Sequence, residues 1–170
     1  MAKKINSDKV KTTTETLLKE FLTQLGLDAE IAVAEPQEQS GDSGFSYLTV
    51  SLIGDNLGEL IGYRGNMLDS IQTIISLMLT KSLSREGVEQ KYRILLDINN
   101  YRQEREKYLI SYAQRAVEEV IHSGQPMELS PMKPSERRII HMALKDAVGV
   151  ETASAGEGES RRVVITPKNK

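Results

Sequence analysis

The stretch that decides the fold lies near the middle of the chain, where residues 57–79 read LGELIGYRGNMLDSIQTIISLML. It places Gly62-Tyr63-Arg64-Gly65 between a short apolar segment and a long one. Glycines on both sides of a basic residue let the backbone approach a phosphate closely, and a helix that starts at Asn66 points unpaired N–H groups at the same place. The pattern indicates a loop that binds a single-stranded nucleic acid. On the tetrapeptide alone, a plain helix–helix turn is the alternative.

The residues after this loop predict a long amphipathic helix. Their apolar side chains recur at i, i+1, i+4, i+7 and i+8, which is the spacing of one buried helix face. The positions on this predicted face are Met67, Leu68, Ile71, Ile74, Ile75, Met78 and Leu79. We therefore expect a rigid element to hold the loop.

The flanking segments complete one structural unit. A helical pattern runs from Val10 to Leu25, and Gly26 stands where a C-terminal cap belongs. Two strands, at residues 31–33 and 45–53, enclose the turn-rich residues 37–44, and a strand at residues 92–98 follows the long helix. The predicted order of residues 10–99 is helix, strand, strand, helix, glycine loop, helix, strand.

This order, with Gly62-Tyr63-Arg64-Gly65 between the two helices, resembles the type II K-homology (KH) domain. In that family the loop clamps the sugar-phosphate backbone, and a groove beside it holds about four unstacked bases. The resemblance implies that Gly62, Tyr63, Arg64, Gly65 and Asn66 contact single-stranded nucleic acid. Tyr63 either stacks on a base or covers the neighbouring helix.

The second half of the chain predicts helices over residues 101–123 and 134–148, then two strands around the turn at residues 156–159. Arg137 and His141 are spaced i, i+4, so both could grip one phosphate. Arg138 and Lys145 lie on the same predicted polar face, next to an apolar face that includes Ala147 and Val148. On spacing alone, a solvated helix face is the better explanation of these residues.

The run SERRIIH at residues 135–141, followed by ETAS at 151–154 and by Gly156-Glu157-Gly158, resembles the Arg-xxx-His (R-3-H) domain over residues 104–168. That family binds single-stranded DNA or RNA, and its signature residues fall on Arg137 and His141. The binding residues expected in this half are Arg137, Arg138, His141, Arg161 and Arg162.

A KH unit followed directly by an R-3-H unit is similar to the bacterial Jag family, also called SpoIIIJ-associated or KhpB/EloR proteins. We predict an α+β protein with an N-terminal tail at 1–9, a KH type II domain at 10–99 and an R-3-H domain at 100–170. Many members begin with a further Jag-N domain, to which nothing in this sequence corresponds. The resemblance also implies pairing with a small KH-only protein, for which the edge of a three-stranded sheet offers a route.

Composition excludes several classes of protein, among them disulfide-rich, zinc-dependent and membrane-spanning ones. The chain has 22 basic and 24 acidic residues, no cysteine and two histidines, so neither a disulfide framework nor a structural zinc site is expected. No apolar run approaches the roughly 20 residues of a membrane span, and the N-terminus lacks a signal-peptide core. We expect a cytoplasmic protein without metal, cofactor or membrane insertion. Residues 1–100 hold 10 basic and 14 acidic residues against 12 and 10 in residues 101–170, which predicts a modest salt dependence of binding.

The leading hypothesis is a non-catalytic binder of single-stranded RNA, or of single-stranded DNA, that acts as a post-transcriptional regulator or RNA chaperone. A nuclease or phosphohydrolase built on His141, Glu136, Glu157 and Glu159 is an alternative from another class. Such chemistry needs convergent carboxylates, and these acids are scattered along the sequence. A protein-interaction scaffold is the third hypothesis, and it is compatible with RNA binding.

Overall fold

The computed structural model describes residues 7–38 and 45–168, and the chain divides after Tyr101 into two compact units. The elements in chain order are α1 (Ser7–Gln24), β1 (Glu30–Val33), β2 (Gln37–Glu38), β3 (Phe45–Ile53), α2 (Gly58–Ile61), α3 (Asn66–Arg85), β4 (Lys91–Ile98), α4 (Tyr101–Ser123), β5 (Met127–Glu128), α5 (Pro134–Ala143), β6 (Val150–Ala155) and β7 (Arg162–Pro167). Helices and two small sheets confirm the predicted α+β class.

The first unit is a sheet covered by helices on one face. Strand β3 pairs antiparallel with β1 and β2 and parallel with β4. Even-numbered residues of β3 and β4 are buried and odd-numbered residues are not, as the period of a strand requires. The prediction of a three-stranded sheet is therefore wrong, because the two-residue strand β2 makes a fourth strand. The predicted turn at residues 37–44 falls partly on residues 39–44, which lie outside the described residues.

Helix α1 begins at Ser7, inside the predicted N-terminal tail, and ends as predicted at a glycine cap. Gly26 has φ +68°, and the Leu27 N–H donates to the Leu22 carbonyl at 3.0 Å. This closing bond is the Schellman pattern of a helix C-terminus. No helix within residues 7–38 and 45–168 is long and apolar enough to cross a membrane.

Helix α3 packs on the sheet with a narrower face than predicted. Its buried residues are Leu68, Ile71, Ile75, Leu79 and Leu83. The prediction that Met67, Ile74 and Met78 are also buried is wrong, because their side chains are 50%, 52% and 43% exposed. Adjacent positions on a helix differ by about 100°, so an apolar residue next to the buried stripe points past the sheet.

Polar side chains of α3 close the outer edge of β4. Gln72, Ser76 and Thr80 recur every four residues, which places them on one side of the helix. Each accepts a hydrogen bond from a β4 backbone N–H: Leu96 to Gln72 Oε1 at 3.0 Å, Ile94 to Ser76 Oγ at 2.9 Å, and Tyr92 to Thr80 Oγ1 at 3.4 Å. These N–H groups are the ones an added strand would use, so the edge of β4 is closed to strand addition, and pairing at a sheet edge stays a prediction.

The second unit packs α4 and α5 on an antiparallel sheet with strand order β5-β7-β6. The bounds of α4 are those predicted, whereas α5 ends at Ala143. The prediction of a helix to Val148 is wrong: Val148 is 89% exposed, and Gly149 at φ +84° turns the chain toward β6. Strand β5 is too short to be visible as a sequence pattern.

Candidate nucleic-acid interface

The glycine loop of the first unit has a backbone that favours glycine at two positions. Gly62 has φ 67° and ψ −173°, and Gly65 has φ 73° and ψ 18°. A Cβ on Gly62 would stand 2.6 Å from the Met67 Cβ, and a Cβ on Gly65 would stand 2.8 Å from the Tyr101 ring. Both glycines are therefore required by dihedral angle and by space. Between them Arg64 also lies in the left-handed region, at φ 51°.

The side chains of this loop point outward. Tyr63 is 73% exposed, and the guanidinium carbon of Arg64 lies 4.9 Å from the centre of its ring. Asn66 is exposed and begins α3, whose first turn also holds Asp69. Four of the five residues predicted for this loop thus lie together at one surface, whereas Gly65 is buried. They combine a cation, an aromatic ring and a helix N-terminus, and Asp69 offsets part of the positive charge.

In the second unit, α5 presents His141 to strand β6. Its Nδ1 lies 2.8 Å from Thr152 Oγ1 and its Nε2 lies 2.9 Å from Ser154 Oγ. A neutral imidazole satisfies both contacts, since one ring nitrogen donates and the other accepts. Thr152 and Ser154 are two positions apart on β6 and therefore on one face. Their roles were missed from the sequence, although this period-two spacing is a signal that could have indicated them.

Arg137 lies close to His141, as their i, i+4 spacing predicts. Burial, and then the positive charge of Arg137, hold the pKa of His141 below its usual value of 6.5. Within the described ranges, the Nε of Arg137 is a buried nitrogen without a hydrogen-bond partner. A buried donor left unpaired is costly, so an acceptor from a bound molecule would stabilise this position.

The other predicted arginines are not drawn into this pair. Arg138 and Arg161 are exposed. Arg162 donates to Glu128 Oε2 at 2.7 Å and to the Ser160 carbonyl at 3.1 Å. The side chain of Arg162 lies on the face of the sheet away from the buried Val163. His141 contacts Ser154, which pairs with Val163 in the neighbouring strand and therefore lies on the same face as Val163. Arg162 therefore lies on a different sheet face from His141, and its contact with nucleic acid stays a prediction.

Glu136 has a structural role beside this site. It is 5% exposed, its Oε1 accepts from Arg105 Nε at 2.8 Å, and its Oε2 accepts from the Lys133 N–H at 3.3 Å. The carboxylate thus caps α5 and joins it to α4. Across residues 7–38 and 45–168, no three metal-ligating side chains cluster together.

Two family models match the chain in succession. The KH domain model of KhpA and KhpB matches residues 15–90, and the R-3-H domain model matches residues 107–167. These segments contain the glycine loop and the Arg137–His141 pair, respectively.

Curated relatives of this chain are named as RNA-binding proteins. The chain is 41% identical over 121 residues to "RNA-binding protein KhpB" of Clostridium symbiosum, covering 71% of this chain and 52% of that one. It is 33% identical over 119 residues to the protein of that name in Bacillus subtilis, covering 69% and 55%. For the Streptococcus pneumoniae D39 protein, the identity is 32% over 108 residues, covering 64% and 31%.

The chain thus spans about half the length of the first two relatives and about a third of the third. With a KhpA/KhpB-type KH domain followed by an R-3-H domain, it belongs to the KhpB (Jag) family.

Proposed function

We propose that this chain is a non-catalytic RNA-binding protein that holds single-stranded RNA at two places. The observation that carries the proposal is the loop from Gly62 to Gly65, in which the exposed backbone of Gly62 lies beside an exposed ring and a cation. Such a surface suits a sugar-phosphate chain with unstacked bases. The names of the relatives, which are called RNA-binding proteins, support RNA as the ligand.

The second contact is the pair Arg137 and His141. Arg137 offers a buried donor without a partner, and His141 is held in place by hydroxyl groups on both ring nitrogens. A phosphate oxygen at this point would accept from Arg137 with a charge-assisted hydrogen bond. Two modest contacts on one strand add as avidity, so the proposal does not require a strongly basic protein. Post-transcriptional regulation or RNA chaperoning is the role that we propose for such binding.

The test replaces Tyr63 and Arg64 together by Asp. Tyr63 is exposed, and Asp tolerates the left-handed conformation at position 64, so the fold should survive. Affinity for single-stranded RNA should fall at least about tenfold, or about 1.4 kcal/mol. The matched control is Lys19→Asp with Gln24→Asp on the exposed side of α1, which changes the net charge by the same amount.

Both variants are compared with the parent by fluorescence anisotropy at fixed salt, using RNA and DNA strands of one sequence. Equal affinities of parent and loop variant, with intact circular dichroism, would show that the loop is not the binding surface. Equal losses in both variants would reduce the effect to net charge.

The same assay examines the second contact. Arg137→Ala and His141→Ala should each weaken binding, and the double variant should lose less than the sum because both side chains lie at one site, where Arg137 donates to the phosphate and His141 lies beside it with both ring nitrogens engaged. Additive losses would indicate independent contacts.

Incubation of labelled RNA with divalent metal tests the nuclease alternative. That alternative has little support, because Glu136 is already engaged by Arg105 and Lys133.

Pairing with a KH-only protein is a second candidate function, favoured by the exposed apolar side of α3. Met67, Ile74, Leu77 and Met78 are between 43% and 66% exposed on one helix. Exposed apolar side chains in a row are typical of a protein-binding surface. If this surface pairs, a KH-only protein should co-purify with the tagged chain and be lost from Ile74→Asp, with RNA affinity for short strands unchanged.

A further inference from the structure

The face of the first sheet that points away from the helices carries two aromatic rings and two cations together. Odd-numbered residues of β3 and β4 lie on this face. The strand register sets Phe45 opposite Lys91 and Tyr47 opposite Arg93. The four side chains therefore form a two-by-two group, which we call the sheet patch.

Both cations of the sheet patch lie beside one of its rings, that of Phe45. The guanidinium carbon of Arg93 lies 4.1 Å from the centre of the Phe45 ring, and Lys91 Nζ lies 5.9 Å from it. Within the described part of the chain, neither cation forms an ion pair with a carboxylate. The nearest acid along the chain is Glu89, two residues before Lys91, and on the same face of β4 it is Asp97, four residues from Arg93 and so about 13 Å along the strand. Among the described residues, neither acid forms an ion pair with the cations of the patch.

This combination fits one class of ligand. Bases of single-stranded nucleic acids stack on aromatic rings and on guanidinium planes, and cations beside the rings neutralise the phosphates. Protein interfaces also use aromatic rings and arginine, but they are depleted in lysine. Here a lysine and an arginine lie together, although residues 1–100 contain 10 basic and 14 acidic residues. Charge complementarity therefore favours a polyanion.

A groove joins the patch to the side of α3. It has a volume of about 690 Å³ and is lined by Thr73 and Leu77 of α3 and by Tyr47 and Arg93 of the sheet patch. The groove passes the edge of β4, where α3 side chains already occupy the backbone N–H groups. From the first residue of α3, Asn66, to Thr80 the helix rises about 21 Å. Twelve stacked nucleotides span about 40 Å, which is enough to reach from the loop to the patch.

We propose that an RNA strand held at the glycine loop continues past the edge of β4 onto the sheet patch. There Phe45 and Tyr47 stack with bases, while Lys91 and Arg93 pair with phosphates. The proposal rests on the proposed RNA binding of the loop and extends the contact to a face of the KH unit outside that loop and its groove.

Two double variants separate the two kinds of contact. Lys91→Gln with Arg93→Gln removes the charges, and Phe45→Leu with Tyr47→Leu removes the rings while keeping apolar side chains in half-buried positions. Anisotropy is measured at several salt concentrations with RNAs of about four and about twelve nucleotides, the shorter being enough to fill the groove beside the loop. Thermal melting of each variant verifies the fold, and the Tyr63→Asp/Arg64→Asp variant is measured in parallel.

For the longer RNA we expect at least fivefold weaker binding in each double variant. The charge variant should also lower the slope of log K against log salt by about 1.4, since each single-strand phosphate contact contributes about 0.7. The ring variant should leave that slope unchanged. Binding of the short RNA should be unaffected in both.

Long-RNA affinity at the parent level in both patch variants, with a loss in the loop variant, would overturn the sheet patch and leave loop binding intact. That result, combined with a change in self-association of the patch variants, would assign the patch to a protein partner and equally overturn the proposal. If the loop variant binds like the parent but the patch variants do not, the proposed loop function fails and the patch is the RNA site by itself.

Discussion

The glycine loop allows a prediction whose magnitude follows from the structure, because an added Cβ meets increasing constraints at three glycines of the first unit. Gly58 has ordinary dihedral angles and nothing within 4 Å of an added Cβ. Gly87 has φ +83° and open space. Gly62 has φ +67° and the Met67 Cβ at 2.6 Å. Alanine therefore adds no strain at Gly58, backbone strain at Gly87, and backbone strain with a steric overlap at Gly62.

Replacing Gly58 by Ala should leave the first unit equally stable or stabilise it by about 0.5 kcal/mol, because the unfolded chain loses freedom. Gly87→Ala should cost about 1 kcal/mol for the left-handed conformation. Gly62 combines a positive φ with an extended ψ, a conformation that is essentially restricted to glycine and that costs another residue about 1–3 kcal/mol. The displacement of Met67 adds about 1–3 kcal/mol, so we expect about 3 kcal/mol in total for Gly62→Ala after the gain in the unfolded state.

Native-state hydrogen exchange of peptides from β3 and β4 measures these differences, since it reports the first unit separately from the second. RNA affinity is measured on the same variants. Only Gly62→Ala should weaken binding, because Met67 lies in the first turn of α3 beside the loop, whereas Gly87 follows the last turn. Equal costs for Gly62→Ala and Gly87→Ala, or equal RNA affinities, would refute the argument that the close contact with Met67 shapes the loop.

Two further predictions concern the second unit. Glu136→Gln should destabilise the second unit by about 3 kcal/mol, because Arg105 would lose the carboxylate of a largely buried ion pair. Hydrogen exchange of peptides from α4 measures this change, and a cost below about 1 kcal/mol would contradict the prediction. His141 has a pKa below 6.5 in the folded chain, so the unfolded state takes up a proton first as the pH falls. The stability from neutral His141 should be full above pH 6.5 and be lost as the pH falls through its lowered pKa. Urea unfolding at several pH values should show this loss in the parent and not in His141→Gln, and parallel curves would assign it to other groups.

The sequence by itself determined the elements that have strong periodic signals. Alternation fixed the buried faces of β3 and β4, and the glycine at position 26 fixed the end of α1 through its dihedral angle. The position of the glycine loop between two helices also followed from the sequence, because local spacing alone specifies it. The i, i+4 pair Arg137 and His141 was predictable for the same reason.

What only the tertiary structure decided depends on contacts between residues far apart in the chain. The narrow face of α3 left Met67, Ile74 and Met78 exposed, since the width of a buried face is set by the sheet beneath it and not by the helix. The hydroxyl groups that hold His141 come from β6, and the register of β7 separates Arg162 from that histidine. The sheet patch also exists only through strand register, which brings Phe45 and Tyr47 beside Lys91 and Arg93 across more than forty residues of sequence. Periodicity specifies which face of an element is buried, but its neighbours are fixed only when the elements pack.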